Sequence, residues 1–350
     1  MGKMHNNPAI FIFSLLFGFI LFSCKSSEYQ TLKNFQEPES VEYDITEIPL
    51  LGPASEKNSE LSGLAWFDDN LILLPQYPFN IGEDTLGVIF KISKARLSDF
   101  ISHKDESEIE PEKITIIAEG LQRFNKSGQG YESIAFNGND VYLTIEASEN
   151  SKMNGYVVKG KINNAATHII LDKKSLKRIE PQADIYNLSD ETIFIYNNNI
   201  YTLYEANGKN VNRYPYSHKF DSELNLLGKI NFPNIEYRIT DASAPDNQGK
   251  FWVINYLYSG DWNDLIPADD EEEDFNPGKM ENLRSTERLL EFQIKDSIIV
   301  RTEKKQLKIK LLNNNIGRNW EGLVKFGNYG FLMVSDYYPK TILGYLKYSN

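Results

Sequence analysis

The amino-acid sequence predicts an all-β protein, a β-propeller with five blades counted and six possible, its ring closed by an N-terminal strand. Three observations lead there. Five pairs of polar positions recur along the chain: Ser62 and Gln76, Glu132 and Glu146, Glu191 and Glu205, and Asp241 and Asn255 lie fourteen residues apart, and Glu321 and Asp336 fifteen. The first member heads a short apolar run and the second ends another, with turn residues between, as in Glu132–Phe136 followed by Val141–Glu146. Self-similar segments at periods of roughly 50 to 80 residues mark a radial β array, and periodic helical stretches of useful length are absent.

The chain opens with a polar head containing Lys3, then the predominantly apolar Pro8–Phe22, then Leu21-Phe22-Ser23-Cys24. Fifteen such residues suit a signal peptide over 1–23 and fall short of the roughly 20 that span a bilayer as a helix. The Leu-x-Ser-Cys ending resembles a bacterial lipobox, and Cys24 is the sole cysteine, so lipidation is expected there. Lys25 follows the Cys, which marks no retention at the inner membrane. The expectation is an exported lipoprotein of the outer membrane, on its periplasmic or its surface side, without an intramolecular disulfide. Residues 24–40 read as a polar tether and 41–350 as the propeller domain.

Within that domain, 41–50 alternates with period two, as a strand with one buried face does, and is the candidate to close the ring. The first blade takes 61–67, 71–77, 86–92 and 113–118. The second takes 131–136, 141–147, 155–162 and 167–172, and the third 191–196, 200–205, 211–218 and 224–231. The fourth takes 237–243, 251–257, 288–294 and 298–303, with an extra strand at 306–311. The fifth supplies 320–326, 331–337 and 341–347. Between Ser259 and Arg284 the rhythm breaks at Asp269-Asp270-Glu271-Glu272-Glu273-Asp274, a solvated acidic loop or a flap over the site.

With 41% hydrophobic and 13% aromatic residues the chain can bury a sizeable core. Its formal charge is −12, and −13 once Lys3 leaves with the signal peptide. An acidic surface without a Lys/Arg cluster repels phosphate backbones, so nucleic acid is excluded as a partner.

Two antiparallel strands joined by a turn bring the head of the first beside the tail of the second. Each pair therefore sets two polar, mostly acidic, side chains at one end of a hairpin, and a ring of hairpins gives one mouth lined with carboxylates. Like charges so close raise one another's pKa, and a hard cation relieves them. Calcium, with six to eight oxygen ligands in tolerant geometry, suits Glu132, Glu146, Glu205, Asp241, Glu321 and Asp336, with Glu191 and the amide oxygens of Gln76 and Asn255 beside them. Zinc is disfavoured, because the histidines 103, 168 and 218 show no ligand spacing. Arg238 and Arg318 each precede an acid by three residues, and Arg123 precedes Glu132 by nine. Guanidinium groups there recognise anions or lock blades together. Trp320, Tyr337 and neighbouring tyrosines flank the same positions, for stacking on a ligand or for packing. No Gly-x-Ser-x-Gly elbow exists.

The segments Leu61-Ser62-Gly63-Leu64-Ala65, Tyr131-Glu132-Ser133-Ile134-Ala135-Phe136, and Glu321-Gly322-Leu323 with Val334-Ser335-Asp336 and Thr341-Ile342-Leu343 resemble the phytase-like propellers with esterase-like activity. The likeness runs from 61 to 347. It implies a calcium-dependent hydrolase of phosphoesters or other esters, with Glu132, Glu321 and Asp336 at the matching positions. Ser62 and Gln76 depart from the pattern by making the first repeat neutral. The catalytic expectation names Glu132 or Glu321 as the base and Arg318 as the anion holder, with Arg238, Trp320 and Tyr337 binding ligand. The alternative is a non-catalytic propeller that binds a ligand or an envelope protein and uses calcium only to stiffen its mouth.

Overall fold

Runs of β-branched, aromatic and leucine residues cut by tight turns fold into antiparallel hairpins along the whole domain. Asp68, Gly138, Asn197 and Asn198 take positive φ at those turns, the conformation that Gly, Asn and Asp tolerate best. The computed structural model describes residues 41–82, 86–126, 128–149, 152–268, 285–313, 316–336 and 340–349. Cys24, the signal segment, the tether, the acidic run 269–274 and Tyr337 lie outside the described residues. Among the described residues no helix is long and apolar enough to cross a membrane.

Two short strands, β1 (Glu42–Tyr43) and β2 (Ile45–Ile48), come first. A four-stranded meander follows: β3 (Leu61–Phe67), β4 (Asn70–Pro75), β5 (Leu86–Ser93) and β6 (Glu112–Ile117). The second unit is β7 (Gly130–Asn137), β8 (Asp140–Glu149) and β9 (Lys152–Ile162), with β10 (His168–Leu171) and β11 (Lys177–Ile179) both paired to β9. The third is β12 (Asp190–Tyr196), β13 (Asn199–Tyr204), β14 (Tyr216–Phe220) and β15 (Leu226–Asn231). The fourth is β16 (Arg238–Ala242), β17 (Lys250–Leu257), β18 (Thr286–Lys295) and β19 (Ile298–Arg301), with β20 (Leu307–Ile309) also on β18. The last is β21 (Trp320–Phe326), β22 (Gly330–Ser335) and β23 (Ile342–Lys347), whose outer edge takes β2 antiparallel. Strand β1 runs parallel to β20 on the preceding sheet.

The first strands of the units, β3, β7, β12, β16 and β21, pack side by side in that order, and β21 packs back on β3. Each gap between neighbouring sheets holds its own apolar cluster. Leu71 and Leu73 face the last unit through Val334 and Leu343, while Ile72 and Leu74 face the second through Ile134 and Leu143. A strand buried on both faces reads as a continuous apolar run, and each fully buried Leu or Ile contributes about 2 kcal/mol. Phe194 and Leu203 pack on Phe251 and Leu290, and Trp252 and Leu289 on Leu323 and Phe331.

Three expectations change here. The third strand of the third unit begins at Tyr216 rather than 211. Strand β11 was not foreseen. The connection after β5 is a helix, α1 (Pro78–Ile81) having preceded it: α2 (Lys94–Ile101) starts on Ser93, whose hydroxyl accepts from the Arg96 amide at 3.2 Å, and buries Leu97 and Phe100.

Candidate functional site

All five inner strands break register at the positions that the sequence pattern singles out. The shift falls between Leu61 and Gly63, Tyr131 and Ile134, Asp190 and Thr192, Ile239 and Ala242, and Trp320 and Gly322. Those gaps hold Ser62, Glu132, Glu191, Asp241 and Glu321. A bulge inserts an unpaired residue and re-aims its side chain, so here it turns one polar group per strand toward the ring's axis.

The bulges open on a cavity of about 910 Å³ lined by Ser62, Gln76, Glu132, Glu146, Glu191, Arg238, Tyr256, Glu321 and Asp336. Its wall also includes Tyr77, one of the flanking tyrosines, together with Glu56, Glu60, Tyr258, Asp261, Asn187 and Asn319, which the sequence pattern did not single out. Glu60 sits two residues before Ser62 and takes φ 39°, so the first repeat carries its acid one step outside the pattern. Tyr237, with φ 72°, bends the chain just before Arg238.

At this wall, Glu146, Glu191 and Glu205 bring one carboxylate oxygen each to within 4.8 Å of one another, all three buried. Glu146 Oε2 and Glu205 Oε2 have no hydrogen-bond partner among the described residues. Arg238 lies beside them, its Nη1 donating to Glu205 Oε1 at 2.5 Å and its Nε and Nη2 to Asp261 at 2.6 and 3.0 Å. Gln76 Nε2 donates to both oxygens of Glu132, at 3.0 and 3.3 Å. Tyr77 Oη accepts from the Gly128 amide at 3.0 Å.

Burial, and then neighbouring charge, raises these acids. Burial pushes Glu132 up to about 7, with Glu205, Glu60 and Asp336 adding to it and Gln76 opposing. Glu205 also reaches about 7, where Arg238 opposes the burial. Glu146, Glu191 and Glu321 are held well above the usual carboxylate range by burial and by neighbouring acids, Glu132 and Glu205 acting on all three. A group of acids so placed binds protons or a cation.

Of the expected site residues, the structure gathers Glu132, Glu146, Glu205, Glu321, Asp336 and Arg238, and joins Glu191 to them. The others sit elsewhere. Asp241 is buried below the mouth, where Oδ1 accepts from the Ser133 hydroxyl and Oδ2 from the Leu323 amide, each at 2.8 Å. Burial raises it to about 8. It bonds two inner strands across the axis, so both its oxygens are already used. Asn255 donates to the Glu236 and Arg238 carbonyls and accepts from Arg288, and Gln76 turns its amide nitrogen to Glu132, so Asn255 is no ligand and Gln76 is a clamp on Glu132. Arg318 is buried against Glu287, with Nη2 at 2.8 Å from Oε2. Trp320 is fully buried and donates to the same Glu287. Both stabilise the joint between the fourth and last sheets and leave the mouth to Arg238. Arg123 lies over the Phe124 ring.

No family model matches the chain, and no curated protein matches it. Solved structures do. An exo-β-1,3-galactanase of Phanerochaete chrysosporium aligns over 86% of this chain and 63% of its own, at 8% identity and a TM-score of 0.46. A β-fructofuranosidase of Bombyx mori aligns over 85% and 61%, at 9% identity and 0.45. A structural genomics protein of unknown function from Bacteroides thetaiotaomicron aligns over 86% and 75%, at 10% identity and 0.41. The chain spans less than two thirds of the length of the two glycosidases. No residue role is carried over from any of them.

Proposed function

We propose that this chain is an exported lipoprotein, anchored through Cys24, whose β-propeller holds calcium in its acidic mouth and hydrolyses an ester or phosphoester there. Five four-stranded blades, closed by strands β1 and β2, are the reading that the cyclic contact of the inner strands supports. The single observation that carries the metal is the buried trio Glu146, Glu191 and Glu205, with an unpartnered oxygen on two of its members. The one guanidinium nearby, Arg238, hydrogen-bonds Glu205 and only offsets the charge of Glu146 in part, and an undercompensated buried charge costs several kcal/mol. Carboxylate oxygens alone, with neither thiolate nor imidazole, suit calcium rather than zinc. Calcium bound there would polarise an ester oxygen.

The chain's own contribution is Glu132. Its carboxyl, held on both oxygens by Gln76 and raised to about 7, suits taking a proton from water near neutral pH. Calorimetric titration with calcium, alongside turnover of carboxylic and phosphate esters with and without it, tests both halves. Tight binding with turnover lost in Glu132→Gln supports the hydrolase. A second reading, a binding propeller stiffened by calcium, is favoured by the closure of Arg238 between Glu205 and Asp261 and by the burial of Arg318. Tight calcium binding without any turnover would establish it. Cys24→Ala should release the protein from membranes; unchanged fractionation overturns the anchor.

A further inference from the structure

We propose that Thr144 is the positioning residue of the metal site, its buried hydroxyl holding Glu132, Glu146 and Glu191 in the arrangement that takes an ion; this rests on the calcium reading above. Thr144 lies on β8 two residues before Glu146, and alternate residues of a strand share a face. It is fully buried, and its hydroxyl reaches two other strands. Oγ1 accepts from the Ser133 amide on β7 at 3.0 Å and donates to the Glu191 carbonyl on β12 at 2.5 Å. Both partners belong to bulges. Glu132 and Ser133 fall in the register break of β7, and Glu191 in that of β12. One hydroxyl thus takes up an amide and a carbonyl from two bulges, and does so from the strand that carries Glu146.

Two further features single out this residue. At other gaps a buried hydroxyl also reaches the bulge of the next sheet, Ser62 donating to the Tyr131 carbonyl and Thr240 to the Trp320 carbonyl, each at 2.6 Å. Thr144 differs in joining two bulges at once, and both carry site acids. Gly155, opposite Glu146 in the β8–β9 register, is the second feature. A Cβ there would meet the Asp190 backbone nitrogen at 3.2 Å, so glycine lets the second and third sheets close up beside Glu146 and Glu191. Glu205 is fixed separately, its amide donating to the Ser189 carbonyl at 3.0 Å and its Oε1 accepting from Arg238 at 2.5 Å. Buried carboxylates repel, and untied strands would relieve them by turning apart. The Thr144 bonds resist that movement and keep the oxygens ready, so that binding does not have to reassemble them.

The test is calorimetric titration of calcium into the full chain, well below the melting midpoint of every variant so that only folded protein is read. The midpoint in chelator is measured alongside. Thr144→Val keeps the shape and removes the hydroxyl, and should bind calcium about tenfold more weakly, what one hydrogen bond is worth. Thr144→Ser keeps the hydroxyl and should stay close to the parent. Thr240→Val also breaks a buried hydroxyl bond to a bulge, and should lower the midpoint while calcium affinity holds. A Thr144→Val that melts lower with parental affinity, a Thr144→Ser as weak as Thr144→Val, or an equal loss in Thr240→Val overturns the proposal. Should Thr144→Val not fold, Gly155→Ala takes its place: it keeps the hydroxyl but presses β9 against β12, and should weaken calcium severalfold, with unchanged affinity overturning the proposal. A parent that binds no calcium sinks the calcium reading itself, and this proposal with it, before any variant is compared.

Discussion

The two ends of the central axis are built from the same five strands and could hardly differ more. At the mouth, Glu132, Glu191 and Glu321 turn inward on their bulges beside Glu146 and Glu205. One to three residues further along, Leu64, Ala65, Ile134, Ala135, Ile193, Ala242 and Leu323 surround a cavity of about 130 Å³ at the other end. Asp241, bonded to Ser133 and Leu323, lies below the mouth. The contrast shows how a single strand divides labour. Its regular part packs and stabilises, and the bulge at its head, where pairing has already failed, carries the groups that fold stability would reject.

The comparison breaks most visibly at the apolar end. Leu323→Ala removes a fully buried side chain and should cost about 2–5 kcal/mol in chemical denaturation, while sparing the rise in thermal midpoint that the proposed calcium site predicts. A calcium response lost along with stability would mean that the two ends are not separable. The next effect is one of pH. Burial holds the carboxyls of Glu132 and Glu205 up to about 7 in the folded chain, against about 4.5 for an exposed carboxyl. A raised carboxyl contributes stability that is full below 4.5 and is lost as pH climbs through about 7. In chelator the thermal midpoint should therefore fall across that window. Saturating calcium should flatten the fall, and a midpoint rising with pH in chelator would contradict the clustering of acids.

Smaller effects sharpen the contrast by their sign. Glu191→Gln should raise the midpoint in chelator, by about 1 kcal/mol, because it removes one of three crowded charges. It should also abolish the calcium response, so the same change stabilises the empty mouth and disables it. A destabilised variant that still answers to calcium would place the ion elsewhere. Smallest is Gln76→Ala. Losing the clamp should cost about 1 kcal/mol or less and shift the acid limb of any pH–rate profile upward, since Gln76 is what holds Glu132 down.

Most of the strand plan was legible because both faces of these strands are buried and turns separate them cleanly. The mouth was legible through the fourteen-residue spacing, which a bulged hairpin imposes on its head and tail. What spacing cannot show is which way a neighbour points. Successive residues of a strand face opposite sides, so Trp320 and Tyr131 enter the core because Glu321 and Glu132 enter the mouth. Arg318 looked like an anion holder from its distance to Glu321, but Glu287, from another sheet, claims it. Asp241 matched the pattern in sequence, yet Ser133 and Leu323 take both its oxygens, partners that only the closed arrangement brings near. Helix α2 had its signal, Ser93 before Leu97 and Phe100, in the stretch between 92 and 113 that the strand pattern left unassigned.

The pairing of Ile45–Ile48 with Ile342–Lys347 also bears on how the molecule is made. Nearly the whole chain must be synthesised before its last sheet gains an outer strand, and contacts so distant in sequence form slowly. Until then the edge of β23 offers open amides and carbonyls to any neighbour. Losing even the closing few residues should leave a sticky, unfinished species rather than a slightly weaker one.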